Sequence, residues 1–213
     1  MVKRFIAHII ASFVLATAVS FTATNGAFAQ TAAQRCAQLS GDAAIAACTE
    51  AIRLNPKSTI AYYNRGVEWS NKGDYDRAIA DYNEAIRLNP NYVNAYSNRG
   101  AAWSEKGDYD RAIADYNEAI RLNPKYANAY SNRGIAWSNK GDYDRAIADY
   151  NEAIRLNPND ANAYGNRGAA WSEKGDYDRA IADFNEAIRL NPKFAYAYSN
   201  RGAAWSEKGD YDR

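Results

Sequence analysis

The sequence predicts an all-α protein that is built as a stack of helical hairpins, and three observations support this prediction. Glycine recurs at intervals of 34 residues, at positions 73, 107, 141, 175 and 209. The phrase GDYDRAIADYNEAIRLNP occupies residues 73–90, 107–124 and 141–158 without change, and the copy at 175–192 differs only at Phe184. Within each interval, small and apolar residues are spaced three and four apart, as on one face of a helix. Hairpins this small have to cover their apolar faces on their neighbours, which explains why the same surface is repeated.

Each unit is predicted to contain two helices, with a turn between them and a proline after the second. Helical faces are predicted in the first unit at Tyr62, Gly66 and Trp69, and then at Ala78, Tyr82 and Ala85. Gly73 suits the left-handed conformation that ends a helix, and Asp74 can cap the helix that follows. Pro90 disfavours helix in the residue before it and therefore ends the unit.

These residues resemble the tetratricopeptide repeat family, whose unit is a helix–turn–helix of about 34 residues. Counted from Thr59, glycine stands at positions 8 and 15 of the first unit, alanine at 20 and 27, tyrosine at 24 and proline at 32. The resemblance implies a right-handed superhelical solenoid. It divides the chain into a capping half-repeat with both cysteines at 30–58, complete repeats at 59–92, 93–126, 127–160 and 161–194, and a partial fifth repeat at 195–213.

The first 29 residues have the composition of a secretory signal peptide. Lys3 and Arg4 give a basic start, an apolar stretch follows, and Ala27-Phe28-Ala29 supplies the small residues that signal cleavage needs. The apolar stretch is about fifteen residues long, whereas roughly 20 cross a bilayer as a helix, so a retained membrane anchor is the weaker alternative. We therefore expect export, to a bacterial periplasm or as a secreted protein, with no stable membrane insertion after cleavage.

Charge and composition exclude several classes of function. Without residues 1–29 the chain has 24 basic and 25 acidic residues, so its net charge changes from +1 to −1. A chain with this balance lacks the excess of positive charge that binding to nucleic acid requires. His8 is the only histidine and is lost with the signal, which excludes Ser–His and Cys–His catalysis and histidine metal sites. Asp74 and Asp76 could suggest calcium ligands, but two carboxylates in a turn do not make a calcium loop. The sequence therefore predicts no enzyme activity, no cofactor and no metal.

Cys36 and Cys48 are separated by twelve positions and precede the complete repeats. In an oxidising compartment such a pair most often forms a disulfide, which here would staple the terminal hairpin. One alternative is a metal site, which would need further ligands. Another is a redox pair, for which CxxC is the usual spacing.

The resemblance also implies where a partner binds, because the first helices of such repeats line an inner groove. Position 6 is asparagine in each copy, at Asn64, Asn98, Asn132, Asn166 and Asn200. A side-chain amide both donates and accepts hydrogen bonds, which matches a peptide group whatever side chain it carries. Asparagine could equally have been copied with the repeat without being used. Apolar contacts to an extended peptide are predicted at Tyr63, Val67, Ile135 and Tyr196.

Position 7 is arginine, where the family prefers leucine, and aspartate recurs at position 23 on the facing helix. We expect structural ion pairs within each repeat, with the arginine stem packed and its head on the carboxylate. The pairs are Arg65 with Asp81, Arg99 with Asp115, Arg133 with Asp149, and Arg167 with Asp183. The alternative is an arginine column that contacts an acidic ligand.

The function predicted from these features is that of a non-catalytic scaffold, which binds a protein or an extended peptide segment in the groove. The alternative is a structural assembly module, in which Tyr198, Gly202 and Trp205 of the last predicted helix dock on another chain. Self-association would then use residues 195–213.

Overall fold

The computed structural model describes residues 31–209, and the predicted signal peptide at 1–29 lies outside the described residues. The described chain contains α-helices and no strands, which confirms the all-α class, and it divides into two compact units at Pro90. Unit 1 contains α1 (31–38), α2 (Gly41–Leu54), α3 (Thr59–Asn71) and α4 (Tyr75–Leu88). Unit 2 contains α5 (Val93–Glu105), α6 (Tyr109–Leu122), α7 (Ala127–Asn139), α8 (Tyr143–Leu156), α9 (Ala161–Glu173), α10 (Tyr177–Leu190) and α11 (Ala195–Glu207). Within residues 31–209, no helix is both long and apolar enough to cross a bilayer.

One turn geometry joins the two helices of every complete repeat, as the α7–α8 turn illustrates. Gly141 has a φ of 79°, which favours glycine, and its N–H donates to the Ser138 carbonyl at 2.9 Å. The Asp142 N–H donates to the Trp137 carbonyl at 3.0 Å, so these two carbonyls at the end of α7 are satisfied. The Asp142 side chain then accepts from the Arg145 N–H at 3.1 Å and caps α8. Gly-Asp therefore ends one helix and begins the next.

These capping aspartates predict an acid-sensitive fold. Hydrogen bonds from the arginine three residues later lower the pKa of Asp74, Asp108 and Asp176 below the ordinary value of 3.8. A carboxyl whose folded pKa is lowered stabilises the fold above its unfolded pKa, and this contribution is lost as the pH falls through the folded pKa. We expect a melting temperature that is nearly constant from about pH 5 to 8 and that falls below about pH 4, measured by circular dichroism.

The control for this acid prediction is the triple variant Asp74→Asn, Asp108→Asn and Asp176→Asn. Asparagine keeps a capping oxygen but has no carboxyl to protonate, so the variant should lose less of its melting temperature between pH 5 and pH 3. An identical loss in both proteins would show that these caps do not determine the acid response.

The two helices of a repeat approach closely because glycine and alanine stand where they meet. A Cβ placed on Gly134 of α7 would lie 2.6 Å from the Tyr150 ring of α8, a distance that real contacts do not reach. Tyr150 and Ala146 are almost completely buried at this contact. The equivalent contacts recur at Gly100 with Tyr116 and at Gly168 with Phe184. The ring at position 24 therefore fills the space that the missing side chain leaves.

Neighbouring repeats stack through the second helix of one repeat and the first helix of the next. In unit 2, Ile113 and Tyr116 of α6 form a buried cluster with Ala136 of α7, and Ile147 of α8 forms a matching one with Ala170 of α9. Lysine at the end of a first helix also pairs with an aspartate of the preceding repeat. These exposed pairs are Lys140 with Asp110, Lys174 with Asp144, and Lys208 with Asp178. The predicted stacking of neighbour on neighbour is confirmed within this unit.

Unit 1 begins with a half-repeat that differs from the others. The sulfur atoms of Cys36 and Cys48 lie 2.09 Å apart, within bonding distance, and both residues are buried between α1 and α2. Cys48 takes the place that tyrosine occupies in the repeats that follow. Glu68 of α3 accepts a hydrogen bond from the Gly41 N–H at 2.7 Å, at the start of α2. The side chain of Ser40 does not cap this helix, so Glu68 supplies the missing acceptor.

Candidate functional site

The first helices of unit 2 form a shared surface, because α7 contacts both α5 and α9, and α9 contacts α11. Between α7 and α9 lies a cavity of about 380 Å³ with a mostly polar lining. Its side chains are Asn128, Ser131, Asn132, Ile135, Asp160, Asn162 and Asn166. Two of the predicted asparagines and the predicted apolar residue Ile135 are therefore brought together in one place.

A second cavity, of about 180 Å³, lies beside the first and has a more apolar lining. Ile135 and Asn166 line both cavities. The remaining wall includes Tyr143, Ala169, Glu173 and Tyr196. Ile135 and Tyr196 are 37% and 43% exposed, so both large apolar side chains are accessible to a ligand. Tyr196 was an expected groove residue, and the structure places it beside Ile135.

The five predicted asparagines do not share one environment, although each is half-buried. Asn132 and Asn166 line the polar cavity, and Asn98 stands at the same position of α5. The side-chain amide of Asn200 donates to the Tyr196 carbonyl of its own helix at 2.8 Å. In unit 1, the Asn64 amide lies 3.9 Å from the Cys36 sulfur. The five asparagines are therefore not equivalent, although they share one position in the repeat.

Tyr63 and Val67, the other predicted contact residues, both lie in unit 1 and are half-buried on α3. The Tyr63 ring lies 6.0 Å from the Tyr82 ring in a tilted arrangement, which is a packing contact within the hairpin. Sequence spacing alone did not reveal this contact.

The position-7 arginines bind the aspartates with which they were paired in the sequence. Nε and Nη2 of each arginine donate to the two carboxylate oxygens at 2.5–2.8 Å, in Arg65–Asp81, Arg99–Asp115, Arg133–Asp149 and Arg167–Asp183. Each aspartate is buried, whereas each arginine side chain is 20% exposed. Hydrogen bonding to the carboxylate, opposed by burial, raises the pKa of Arg65 and Arg167. This geometry favours a structural role over contact with an acidic ligand.

Two further contacts of arginines were not anticipated. Nη1 of Arg133 donates to the Asn117 side chain at 2.5 Å, which ties α7 to the preceding repeat, and Arg167 makes the equivalent bond to Asn151 at 2.7 Å. A different arginine, at position 19 of the repeat, stacks on the tryptophan at position 11. In the second repeat, Cζ of Arg111 lies 3.6 Å from the centroid of the Trp103 ring. Both partners recur with the 34-residue interval, which is the sequence signal that could have revealed them.

The two cavities have an acidic character. Asp160 lines the polar cavity and caps α9 by accepting from the N–H groups of Asn162 and Ala163. Glu173 lines the apolar cavity, where it accepts from the Tyr143 hydroxyl at 3.3 Å and its negative charge raises the pKa of Tyr143. Among the described residues, no lysine or arginine lines either cavity. Among residues 31–209, no cluster of three or more histidine, cysteine or acidic side chains could hold a metal ion.

Among residues 31–209, no second helix packs on the side of α11 that such a helix covers in the preceding repeats. No described atom lies within 4 Å of a Cβ placed on Gly202, whereas the equivalent glycines meet an aromatic ring. Tyr198, on the same helix, is 44% exposed. Trp205 is half-buried among the residues packed around α10 and α11.

Known structures share this fold. A crystal structure of MamA is 28% identical, with a TM-score of 0.68 over 72% of this chain and 90% of that chain. The structure of MamA residues 41 to the end from Desulfovibrio magneticus RS-1 is 23% identical, with a TM-score of 0.73 over 80% of this chain and 97% of that one. YrrB, described as a TPR protein with an unusual peptide-binding site, is 22% identical, with a TM-score of 0.65 over 74% and 81% of the two chains. A search of curated protein sequences found no match.

Family comparisons agree with the fold. The family model described as "Tetratricopeptide repeat" matches residues 59–92, 127–160 and 161–194. A second family model with the same description matches residues 81–114. A third family model, described as "TPR repeat", matches residues 104–141. These matches run without a gap from residue 59 to residue 194. The chain therefore belongs to the tetratricopeptide repeat family, and its fold is a solenoid of stacked helical hairpins.

Proposed function

We propose that this protein is a non-catalytic scaffold that binds an extended peptide or protein segment along the first helices of unit 2. The observation that carries the proposal is the convergence of Asn132, Ile135 and Asn166 on one polar cavity, beside a second cavity that also contains Tyr196. Asparagine amides can pair with the peptide backbone, while Ile135 and Tyr196 offer apolar contact. The YrrB structure, which is described as having a peptide-binding site, illustrates a use of the same fold.

The free energies of hydrogen bonding and of peptide ordering show why both amide and apolar contacts are needed. A hydrogen bond contributes about 0.5–1.5 kcal/mol net, so a few amide pairs supply only several kcal/mol. Ordering a disordered peptide on binding costs about 2–5 kcal/mol, which offsets most of that gain. The exposed apolar side chains Ile135 and Tyr196 therefore have to contribute to the affinity.

Peptides selected from a random displayed library on the purified protein test this function. We expect the triple variant Asn98→Ala, Asn132→Ala and Asn166→Ala to bind the selected peptides at least about tenfold more weakly, because it removes three backbone partners. Its far-UV circular dichroism spectrum should match that of the wild type. The control variant Glu118→Gln, Glu152→Gln and Glu186→Gln changes only second helices and should bind normally. Failure to select any peptide, or equal binding by the asparagine variant, would refute the proposal.

The alternative function is assembly through α11. The side of Gly202 that no described atom contacts and the exposed Tyr198 ring favour it, because such a face can accept a helix of another chain. Assembly predicts oligomers whose size increases with protein concentration in analytical ultracentrifugation. Peptide binding along the first helices predicts a monomer whose size does not change with concentration.

We also propose that the chain is exported, most simply to a bacterial periplasm, and that Cys36 and Cys48 are joined there. The distance of 2.09 Å between their sulfur atoms supports a disulfide, as an oxidising compartment does. Mass spectrometry of the protein purified from the periplasm should show cleavage after residue 29. It should also show no thiol that reacts with an alkylating reagent unless the protein is first reduced. An intact N-terminus with two free thiols would contradict both statements.

A further inference from the structure

The repeats are so alike that the positions at which they differ call for an explanation. From the turn glycine to the closing proline, the four complete copies are identical except at Phe184. Most other differences therefore lie in the first helices and in the loops that precede them. One of these differences has a structural reason, because Glu68 caps α2 in unit 1 where the later repeats have alanine. In unit 2, Asp160 likewise caps a helix, because it accepts from the N–H groups of Asn162 and Ala163 at the start of α9.

Four of the differences in unit 2 lie at or beside the two neighbouring cavities. Ile135 stands where the other repeats of unit 2 have alanine, and Tyr196 stands where they have asparagine. Both side chains line the apolar cavity. Asp160 replaces an aromatic residue and lines the neighbouring polar cavity, which also contains Ile135.

The fourth difference makes room for this arrangement. Gly165 replaces the serine of the other repeats of unit 2. A Cβ on Gly165 would lie 3.0 Å from the Phe194 ring and 3.6 Å from the Tyr196 ring. These two rings pack against each other with their centroids 5.7 Å apart. Glycine therefore lets the Phe194–Tyr196 pair lie against α9, where Tyr196 forms part of the apolar wall.

The charged side chains that line the two cavities are both acidic. Glu173 is exposed at the apolar cavity and Asp160 lies in the polar cavity, while no basic side chain of residues 31–209 lines either one. The nearby arginines Arg133 and Arg167 are each held by two hydrogen bonds to a buried aspartate. An acidic ligand would meet like charges here, whereas a basic one would meet opposite charges.

We propose that this place, the Ile135 subsite (Ile135, Asp160, Gly165, Asn166, Glu173 and Tyr196), holds one large apolar side chain of the bound segment together with an adjacent lysine or arginine. The apolar side chain lies against Ile135 and Tyr196, and the cation lies beside the carboxylate of Glu173 in the same cavity. Asp160, at the other end of α9, adds negative charge to the neighbouring polar cavity. The Asn166 amide pairs with the backbone between them. The inference rests on the proposed function, since it specifies which segments that function selects.

The size of the apolar cavity agrees with a side chain rather than a small molecule. Its volume of about 180 Å³ is below the roughly 300–1,000 Å³ of small-molecule sites. Aromatic and aliphatic anchors surrounded by polar groups are also typical of the centre of a protein interface. The subsite therefore supplies the sequence preference that backbone-binding asparagines cannot supply.

The peptides selected from the random library on the wild-type protein test this inference directly. We expect their sequences to be enriched in a leucine, isoleucine or aromatic residue next to a lysine or arginine. Ile135→Ala should weaken binding of these peptides about tenfold through lost apolar contact. The equivalent residues Ala101, Ala169 and Ala203 show that alanine is compatible with the fold at this position.

Two isosteric variants test the charges. Asp160→Asn keeps a capping oxygen and Glu173→Gln keeps an acceptor for Tyr143, so both should fold normally. Each should weaken binding about two- to fivefold at low salt, and by less in 0.5 M salt, because partly exposed charge pairs are weak and are screened. Glu118→Gln on α6 changes the net charge equally and should have no effect.

The outcomes separate this inference from the proposed function. Selected peptides that depend on Asn132 and Asn166, but lack basic residues and bind Ile135→Ala as well as wild type, would overturn the subsite and leave the scaffold function intact. Enrichment of acidic peptides would overturn it in the same way. If no peptide is selected at all, both the function and the subsite are refuted. Basic, apolar peptides that respond to all three substitutions would support both.

Discussion

Replacing Arg133 with alanine is expected to lower the free energy of unfolding by about 3–5 kcal/mol, because the change leaves a buried carboxylate without its partner. Asp149 is only 6% exposed, and Nε and Nη2 of Arg133 donate to its two oxygens at 2.8 and 2.6 Å. The substitution also removes the bond from Nη1 to Asn117, which links α7 to the preceding repeat. Denaturation by urea, followed by circular dichroism, measures the loss.

The control for Arg133 is Arg121→Ala. Arg121 forms an exposed pair with Glu118 three residues earlier, and such pairs contribute little to stability, so this variant should unfold almost as the wild type does. The double variant Arg133→Ala and Asp149→Ala should recover part of the lost stability, since it removes the unpaired charge. A stable Arg133→Ala protein that had lost its peptide ligand would instead assign the arginines to binding.

Gly134→Ala should destabilise the protein by about 1–3 kcal/mol, since one added methyl group overpacks the hairpin. The new Cβ would lie 2.6 Å from the ring of Tyr150. Tyr150 is only 1% exposed, so its ring has no room to move away. This steric cost exceeds the gain of about 0.5–1 kcal/mol that alanine gives over glycine within a helix. Thermal and urea unfolding of the purified variant measure the net effect.

A matched control exists in the same protein. Gly202 occupies the equivalent position of α11, where no described atom lies within 4 Å of an added Cβ. Gly202→Ala should therefore be neutral or stabilise the protein by up to about 1 kcal/mol. Equal effects at the two glycines would show that helix propensity, not contact with Tyr150, decides the result.

Regular features of the fold could be predicted from the sequence because they depend on local chemistry that repeats. Gly141 adopts the positive φ that the turn requires, and Asp142 caps the helix that follows. The pairing of Arg133 with Asp149 follows from opposite charges at recurring positions on facing helices. Each of these features requires only two residues of known spacing.

The candidate site was harder to predict because its geometry depends on residues that break the repeat. Ile135 and Tyr196 were expected in the groove, but Asp160, Gly165 and Glu173 were not expected as parts of the same site. Ile135, Asp160, Glu173 and Tyr196 come from three repeats, and the stacking of α7, α9 and α11 places them along two neighbouring cavities. Asn200 shows that the same position in the repeat does not guarantee the same contacts. Its amide donates to its own helix, although it has the same position in the repeat as Asn132.

The most direct test of the account is photo-crosslinking of a selected peptide from two positions. A photoreactive amino acid replaces Asn139, at the edge of the apolar cavity on α7, or Ala148, which is exposed on the second helix α8. If the first helices of unit 2 form the binding surface, the peptide will crosslink from position 139 and not from position 148. Crosslinking from position 148 alone, or equally from both positions, would contradict the account.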